Sequence, residues 1–124
     1  MNIPVACVLV AGVMPVLGAA MAKWGFKDFD NHNPRQWLAA QTGFRARANA
    51  AQNNNFEAFP FFAIAVVLAL HFQAHAAWLD PLCLLFVAAR VLYFLSYVLD
   101  WAKSRTLCWT VAYGACIAIY VQLI

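Results

Sequence analysis

Charge is what this sequence has least of. Its 124 residues include eight Lys and Arg and five Asp and Glu, one tenth of the chain. Against that stand 65% hydrophobic residues and a mean hydropathy of +0.70. A soluble domain carries about 25% charged residues, and a domain this small leaves much of its surface facing its surroundings. So few charges exclude a soluble globular enzyme and make a bilayer the natural solvent. Residues 2–22, 58–79 and 106–124 hold no Lys, Arg, Asp or Glu, and residues 81–99 hold one, Arg90. A spanning helix needs roughly 20 mostly apolar residues. The chain therefore reads as a single all-α transmembrane domain over residues 1–124, with four transmembrane helices at about 2–22, 44–73, 77–99 and 105–124.

Other absences narrow the reading further. The four cysteines, Cys7, Cys83, Cys108 and Cys116, form no CxxC pair and no zinc spacing, and they fall within apolar stretches as small hydrophobes. The first stretch ends in the small run Gly18–Ala19–Ala20, as a secretory signal does, but no Lys or Arg precedes it, and Lys23 and Lys27 follow it. A signal has the opposite order and a shorter core, so a retained first span is expected. There is no low-complexity segment and no repeat beyond the four apolar stretches.

The charges that remain are sorted by position. Lys23, Lys27, Arg35, Arg45 and Arg47 precede the second span, and Lys103 and Arg105 precede the fourth, whereas the turn from Gln73 to Asp80 has no Lys or Arg. By the positive-inside rule the first and third connections are cytoplasmic and both termini face away. The net charge of +3 is then accounted for by basic loops beside an anionic leaflet, and no nucleic-acid partner is expected. Asp28, Asp30, Asn31, Asn33 and Pro34 mark the long connection Lys23 to Gln41 as an ordered loop.

Two charges stay inside the membrane. Counting back from Phe72 at about 1.5 Å per residue, Glu57 lies about 22 Å from the outer surface, near the cytoplasmic edge. The helical pattern of this span begins near Thr42, and Pro60, which cannot donate to the carbonyl of Phe56, predicts a local kink. Counting from Asp80, Arg90 lies about 15 Å deep, close to the midplane. An intramembrane charge is costly, so it faces protein or water and has a partner. Arg90 is thus the candidate partner of Glu57. Asn54 shares a face with Glu57, with Gln52 to one side and Arg47 nearer the cytoplasm. Tyr93, Tyr97 and Trp101 follow Arg90 on its own face. Each feature has a plainer reading: a polar clamp between helices for Glu57, an interhelical ion pair for Arg90, interfacial anchors for the tyrosines, and topology signals for Lys103 and Arg105. His71 and His75 are spaced for a metal, but lie near the outer surface with only Asp80 nearby, so interfacial histidines are expected and no metal.

The run Arg47-Ala-Asn-Ala-Ala-Gln-Asn-Asn-Asn-Phe-Glu57-Ala-Phe-Pro60-Phe-Phe resembles the second-helix signature of the MAPEG family, the membrane-associated proteins in eicosanoid and glutathione metabolism. Its core is Asn54-x-x-Glu57-x-x-Pro60. Ala89-Arg90-Val-Leu-Tyr93-Phe-Leu-Ser-Tyr97 resembles the third-helix motif, and Arg105 falls where family members place a catalytic arginine. The resemblance covers nearly the whole chain and is nearer to a bacterial-type branch than to the eicosanoid-specific members.

The resemblance implies a homotrimer of left-handed four-helix bundles in a bacterial inner membrane, with glutathione as thiol co-substrate between protomers on the cytoplasmic side. Gln52, Asn54 and Glu57 would hold the glutathione backbone and amino group. Tyr93 and Tyr97 would line the site, with Arg47 and Arg90 beside it, and Arg105 would stabilise the thiolate. The implied activity is that of a glutathione transferase or peroxidase acting on a hydrophobic small-molecule substrate or a peroxide, with membrane lipid around it. One position departs: glutathione-using members commonly carry arginine seven residues before the glutamate, where this chain has Ala50, with Arg47 one turn earlier. Two alternatives stay open. One is a non-catalytic scaffold or lipid-binding trimer of the same fold. The other is a small multidrug transporter, whose essential glutamate would lie in the first span, here uncharged.

Overall fold

A computed structural model describes residues 2–72 and 76–124. Five helices follow in order: α1 (Ile3–Lys23), α2 (Pro34–Ala39), α3 (Gly43–Phe72), α4 (Leu79–Val98) and α5 (Ala102–Val121). The four long ones lie on the four apolar stretches. No β-strand occurs among the described residues.

Local chemistry sets the helix ends. The Asn2 side chain accepts the Val5 N–H at 3.2 Å, and Pro4 sits in the first turn, where its missing N–H would have no partner in any case. Gly43 takes φ +59 at the start of α3, a conformation that an L side chain resists. α4 ends in a Schellman arrangement: the Trp101 N–H reaches Ser96 O at 2.7 Å and the Asp100 N–H reaches Tyr97 O at 3.2 Å, with Asp100 at φ +62. That tight reversal brings the head of α5 back against the tail of α4.

The expected long loop is more structured than its turn formers implied. Asp30 Oδ1 accepts the N–H groups of His32 and Asn33, and the six-residue α2 then starts at Pro34. Trp37 of α2 receives Phe26 and Phe29 edge-on at 5.1 and 5.0 Å, while Arg45 covers Phe26 at 3.9 Å and Lys23 covers Phe29 at 4.7 Å. This aromatic–cation layer closes one end of the bundle. At about 1.5 Å per residue the 30-residue α3 is roughly 45 Å long. It exceeds a hydrocarbon core of about 30 Å, so its first turns stand outside the membrane on that side. Pro60 is carried inside α3, which remains helical through it.

α1 packs on α3 and α4; α4 also packs on α3 and α5, and α5 touches α3. The interior is built from small residues, Cys7, Ala11, Ala65, Ala69, Cys83, Ala89, Ala112, Ala115 and Cys116, around the stacked pair Phe62–Phe86. Small side chains let helices approach closely, which is how helices associate in lipid. Gly18 of α1 shows how closely: a Cβ there would lie 2.9 Å from Gln52 Cβ of α3 and 2.9 Å from Phe94 Cε2 of α4. The outside is apolar instead, with Leu9, Val16, Leu17, Val67, Leu84, Leu92 and Leu107 all exposed. That inverted surface suits a lipid solvent. α1, α3 and α4 are long and apolar enough to cross a membrane. α5 is less apolar, because Lys103, Ser104, Arg105 and Thr106 occupy its first turns. All four cysteines are free, three of them buried in this core.

Candidate functional site

The site begins with a buried cation. Arg90, midway along α4, is 3% exposed. Its Nε and Nη2 both donate to Asn55 Oδ1 of α3, the first at 3.0 Å, and Nη2 also donates to Asn54 Oδ1 at 2.9 Å. On its outer side Asn54 donates through Nδ2 to Glu57 Oε2 at 3.4 Å. The expected direct pairing of Arg90 with Glu57 is therefore replaced by a bridge through Asn54. Helical phase explains it: at about 100° per residue, Asn54 and Asn55 sit on the α4-facing side of α3, while Glu57 lies roughly 60° beyond Asn54. Glu57 is left exposed.

From Arg90 a line of alternating cations and rings runs toward the start of α5. The guanidinium of Arg90 lies 4.3 Å from the centroid of Tyr93. Tyr93 meets Tyr97 edge-on at 5.7 Å, and Arg105 lies 4.5 Å over Tyr97. The ring faces carry partial negative charge that holds each guanidinium in place. The α4–α5 reversal makes this possible, and the Ser96 and Ser104 hydroxyls bond across it at 2.8 Å. A cavity of about 190 Å³ opens beside the line between α3, α4 and α5. Glu57 and Arg90 form its polar end, and Phe61, Trp109 and Tyr113 its aromatic wall, with Trp109 and Tyr113 stacked at 5.2 Å. A carboxylate, a charged guanidinium and an apolar wall thus meet in one recess.

Sequence comparison matches the MAPEG family over residues 3–124. The chain belongs to the MAPEG family. Comparison with curated proteins and with solved structures gives no significant match.

In this MAPEG protein the expected site residues fall into two groups. Asn54, Glu57, Arg90, Tyr93, Tyr97 and Arg105 are joined in one chain of side-chain contacts. Gln52 does not join them: five residues from Glu57 is about 140° around the helix, on another flank of α3. There it is 6% exposed and donates to Asn49 Oδ1 at 2.7 Å. It borders a polar recess of about 510 Å³ lined also by Lys23, Arg35, Asn49 and Asn53. Arg47 points to α4, where its Nε donates to the Val98 carbonyl at 3.1 Å and satisfies a helix-end acceptor. Ala50 is on the Glu57 flank and offers no polar group.

Several partners went unnoticed in the sequence. Asn55 is 3% exposed, and its Nδ2 is buried without a hydrogen-bond partner, an arrangement that costs about 1–3 kcal/mol. The Asn53–Asn54–Asn55 run held the signal, since only one phase of that triplet can face α4. Lys23 and Arg35 read as topology charges until α2 folds them beside Gln52. His71 is exposed and edge-on to Phe72 at 4.8 Å, and His75 lies outside the described residues. Among the described residues no cluster of metal-ligating side chains occurs.

Proposed function

We propose that this MAPEG protein binds glutathione, or a thiol of the same class, and activates its sulfur for transfer to lipophilic electrophiles or for reduction of peroxides. One observation carries the reading: the Arg90–Tyr93–Tyr97–Arg105 line meets the Asn54–Glu57 pair at Arg90, and Arg90 and Glu57 line an aromatic cavity. Glu57 is the acceptor for the ligand's ammonium group, and Asn54 and the tyrosine hydroxyls serve its amide backbone. Arg105 sits at the head of α5, at the level where a thiol held by Glu57 and Tyr97 presents its sulfur. A free thiol of pKa about 8.5 is mostly protonated at neutral pH, and an adjacent guanidinium favours the thiolate.

The chemistry then balances simply. In transfer, the thiolate forms a carbon–sulfur bond and the leaving group departs with the bonding pair. In peroxide reduction, sulfur attacks one oxygen, the O–O bond breaks, and the departing alkoxide takes a proton. A second thiol condenses with the sulfenic acid, giving disulfide and water. The aromatic wall of Phe61, Trp109 and Tyr113 receives the lipophilic partner from the membrane.

The ligand lies between copies of the chain in a homotrimer, with α5 as the fourth span, both termini away from the cytoplasm, and a bacterial inner membrane as the setting. Support comes from the two flanks of α3. A molecule that touches both Glu57 and Gln52 needs two copies. Lys23 and Arg35 of the Gln52 flank then supply the carboxylate recognition that Ala50 lacks and that Arg47, tied to Val98, does not provide. Calorimetry with glutathione and the conjugation rate of a lipophilic aryl halide, on protein purified in detergent, test the reading. Saturable binding with thiol-dependent turnover is expected. An absence of binding at millimolar glutathione contradicts it.

A further inference from the structure

Arginine has five N–H donors and no acceptor, so a carboxamide beside it can turn only its oxygen inward. Asn55 does this with one oxygen for two donors, Nε and Nη2 of Arg90, and that fork fixes the plane of the guanidinium. The other Nη2 bond goes to Asn54 Oδ1. With its oxygen held inward, Asn54 has one orientation left, amide nitrogen outward to Glu57 Oε2. Released from Arg90, the Asn54 amide is free to flip and set its oxygen against the carboxylate, a repulsive contact. The orientation of the exposed carboxylate therefore traces back through two side chains, Asn54 and Arg90, to the buried Asn55. Asn55 holds this post although its own Nδ2 is buried and unpaired. A residue kept in an unsatisfied position calls for an explanation other than stability. As a neutral acceptor, Asn55 also grips the guanidinium without cancelling its charge.

We infer that Asn55 is a positioning residue of the thiol site, acting through Arg90 to fix the Asn54 amide that orients Glu57. The inference rests on the thiol-binding reading for its ligand, but the positioning itself has a readout that needs no ligand. Side-chain nitrogen NMR on the full-length protein, labelled at arginine and asparagine, follows the Arg90 Nε–H and the Asn54 Nδ2–H signals. In the wild type both are expected to exchange slowly with water. Asn55→Leu, of similar volume, is expected to speed both by at least about tenfold and to raise the glutathione Kd by about tenfold, with oligomer size unchanged. Asn55→Asp keeps the Oδ1 acceptor for both donors and is expected to retain slow exchange of both signals.

Unchanged exchange of either signal in Asn55→Leu overturns the inference, as does accelerated exchange with an unchanged Kd. If Asn55→Leu does not fold, Asn55→Asp decides: loss of the slow signals in that folded variant overturns it. A wild type that shows both slow signals yet binds no glutathione contradicts the thiol reading, and the exchange comparison still decides the positioning.

Discussion

The guanidinium of Arg105 lies 4.5 Å from the ring centroid of Tyr97, tying the first turn of α5 to the last turn of α4. The contact closes a line that starts at Arg90, midway along α4, and ends at the head of α5. It also holds one positive charge over the Tyr97 ring at the α4–α5 reversal.

In the proposed reaction Arg105 is the group on which the chemistry depends. Arg105→Ala should lower the conjugation rate by about 10²-fold or more, the scale of losing one charge-stabilising donor. The glutathione Kd should move by less than about tenfold, because the other contacts remain. Steady-state kinetics beside calorimetry separates the two effects, and Arg105→Lys should restore part of the rate.

In the proposed site Glu57 carries binding. Glu57→Gln retains the shape and removes the charge that receives an ammonium group. The Kd should rise by about 10- to 100-fold, the value of a charge-assisted hydrogen bond. Wild-type proteoliposomes should show no proton-coupled efflux of cationic drugs, the activity that a small multidrug transporter would give.

Much of this arrangement is readable before any coordinates, and the reasons are physical. A bilayer demands about 20 apolar residues per helix, so the four long helices show in the charge map. Asn54 and Glu57 are three apart, and Arg90, Tyr93 and Tyr97 follow at three and four, so helical geometry places each set on a face. What stays hidden depends on partners. Gln52 is close to Glu57 in sequence and far around the helix. Arg47 finds its acceptor 51 residues away on α4. Glu57 and Arg90 look like an ion pair by depth, yet phase inserts Asn54 between them. α2 is six residues long and shows no apolar period that a sequence could reveal.

Gly18 reports on how tightly α1 meets its neighbours. Gly18→Ala would place a methyl 2.9 Å from Gln52 Cβ and 2.9 Å from Phe94 Cε2. Separating the helices should cost about 1–3 kcal/mol, lowering the melting temperature in detergent by several degrees. Because Gln52 borders the recess with Lys23 and Arg35, glutathione affinity should fall as well. Gly114, with open space around its Cβ position, is the control: Gly114→Ala should leave melting unchanged or raise it.

The two flanks of α3 make subunit mixing informative. Gln52→Ala and Glu57→Gln proteins should each be impaired alone. Co-assembled at random in equal amounts, they should regain activity at about a quarter of interfaces, those pairing an intact Glu57 flank with an intact Gln52 flank. Activity no higher than the mean of the two variants would place both residues in one protomer's site.

In the proposed function this MAPEG protein holds a thiol as thiolate under Arg105. The most direct measurement is the ultraviolet difference spectrum of glutathione mixed with the detergent-purified protein at neutral pH. A saturable thiolate band is expected, absent in Arg105→Ala and weakened in Glu57→Gln. Glutathione that binds with no thiolate band, or a band undiminished in Arg105→Ala, contradicts it.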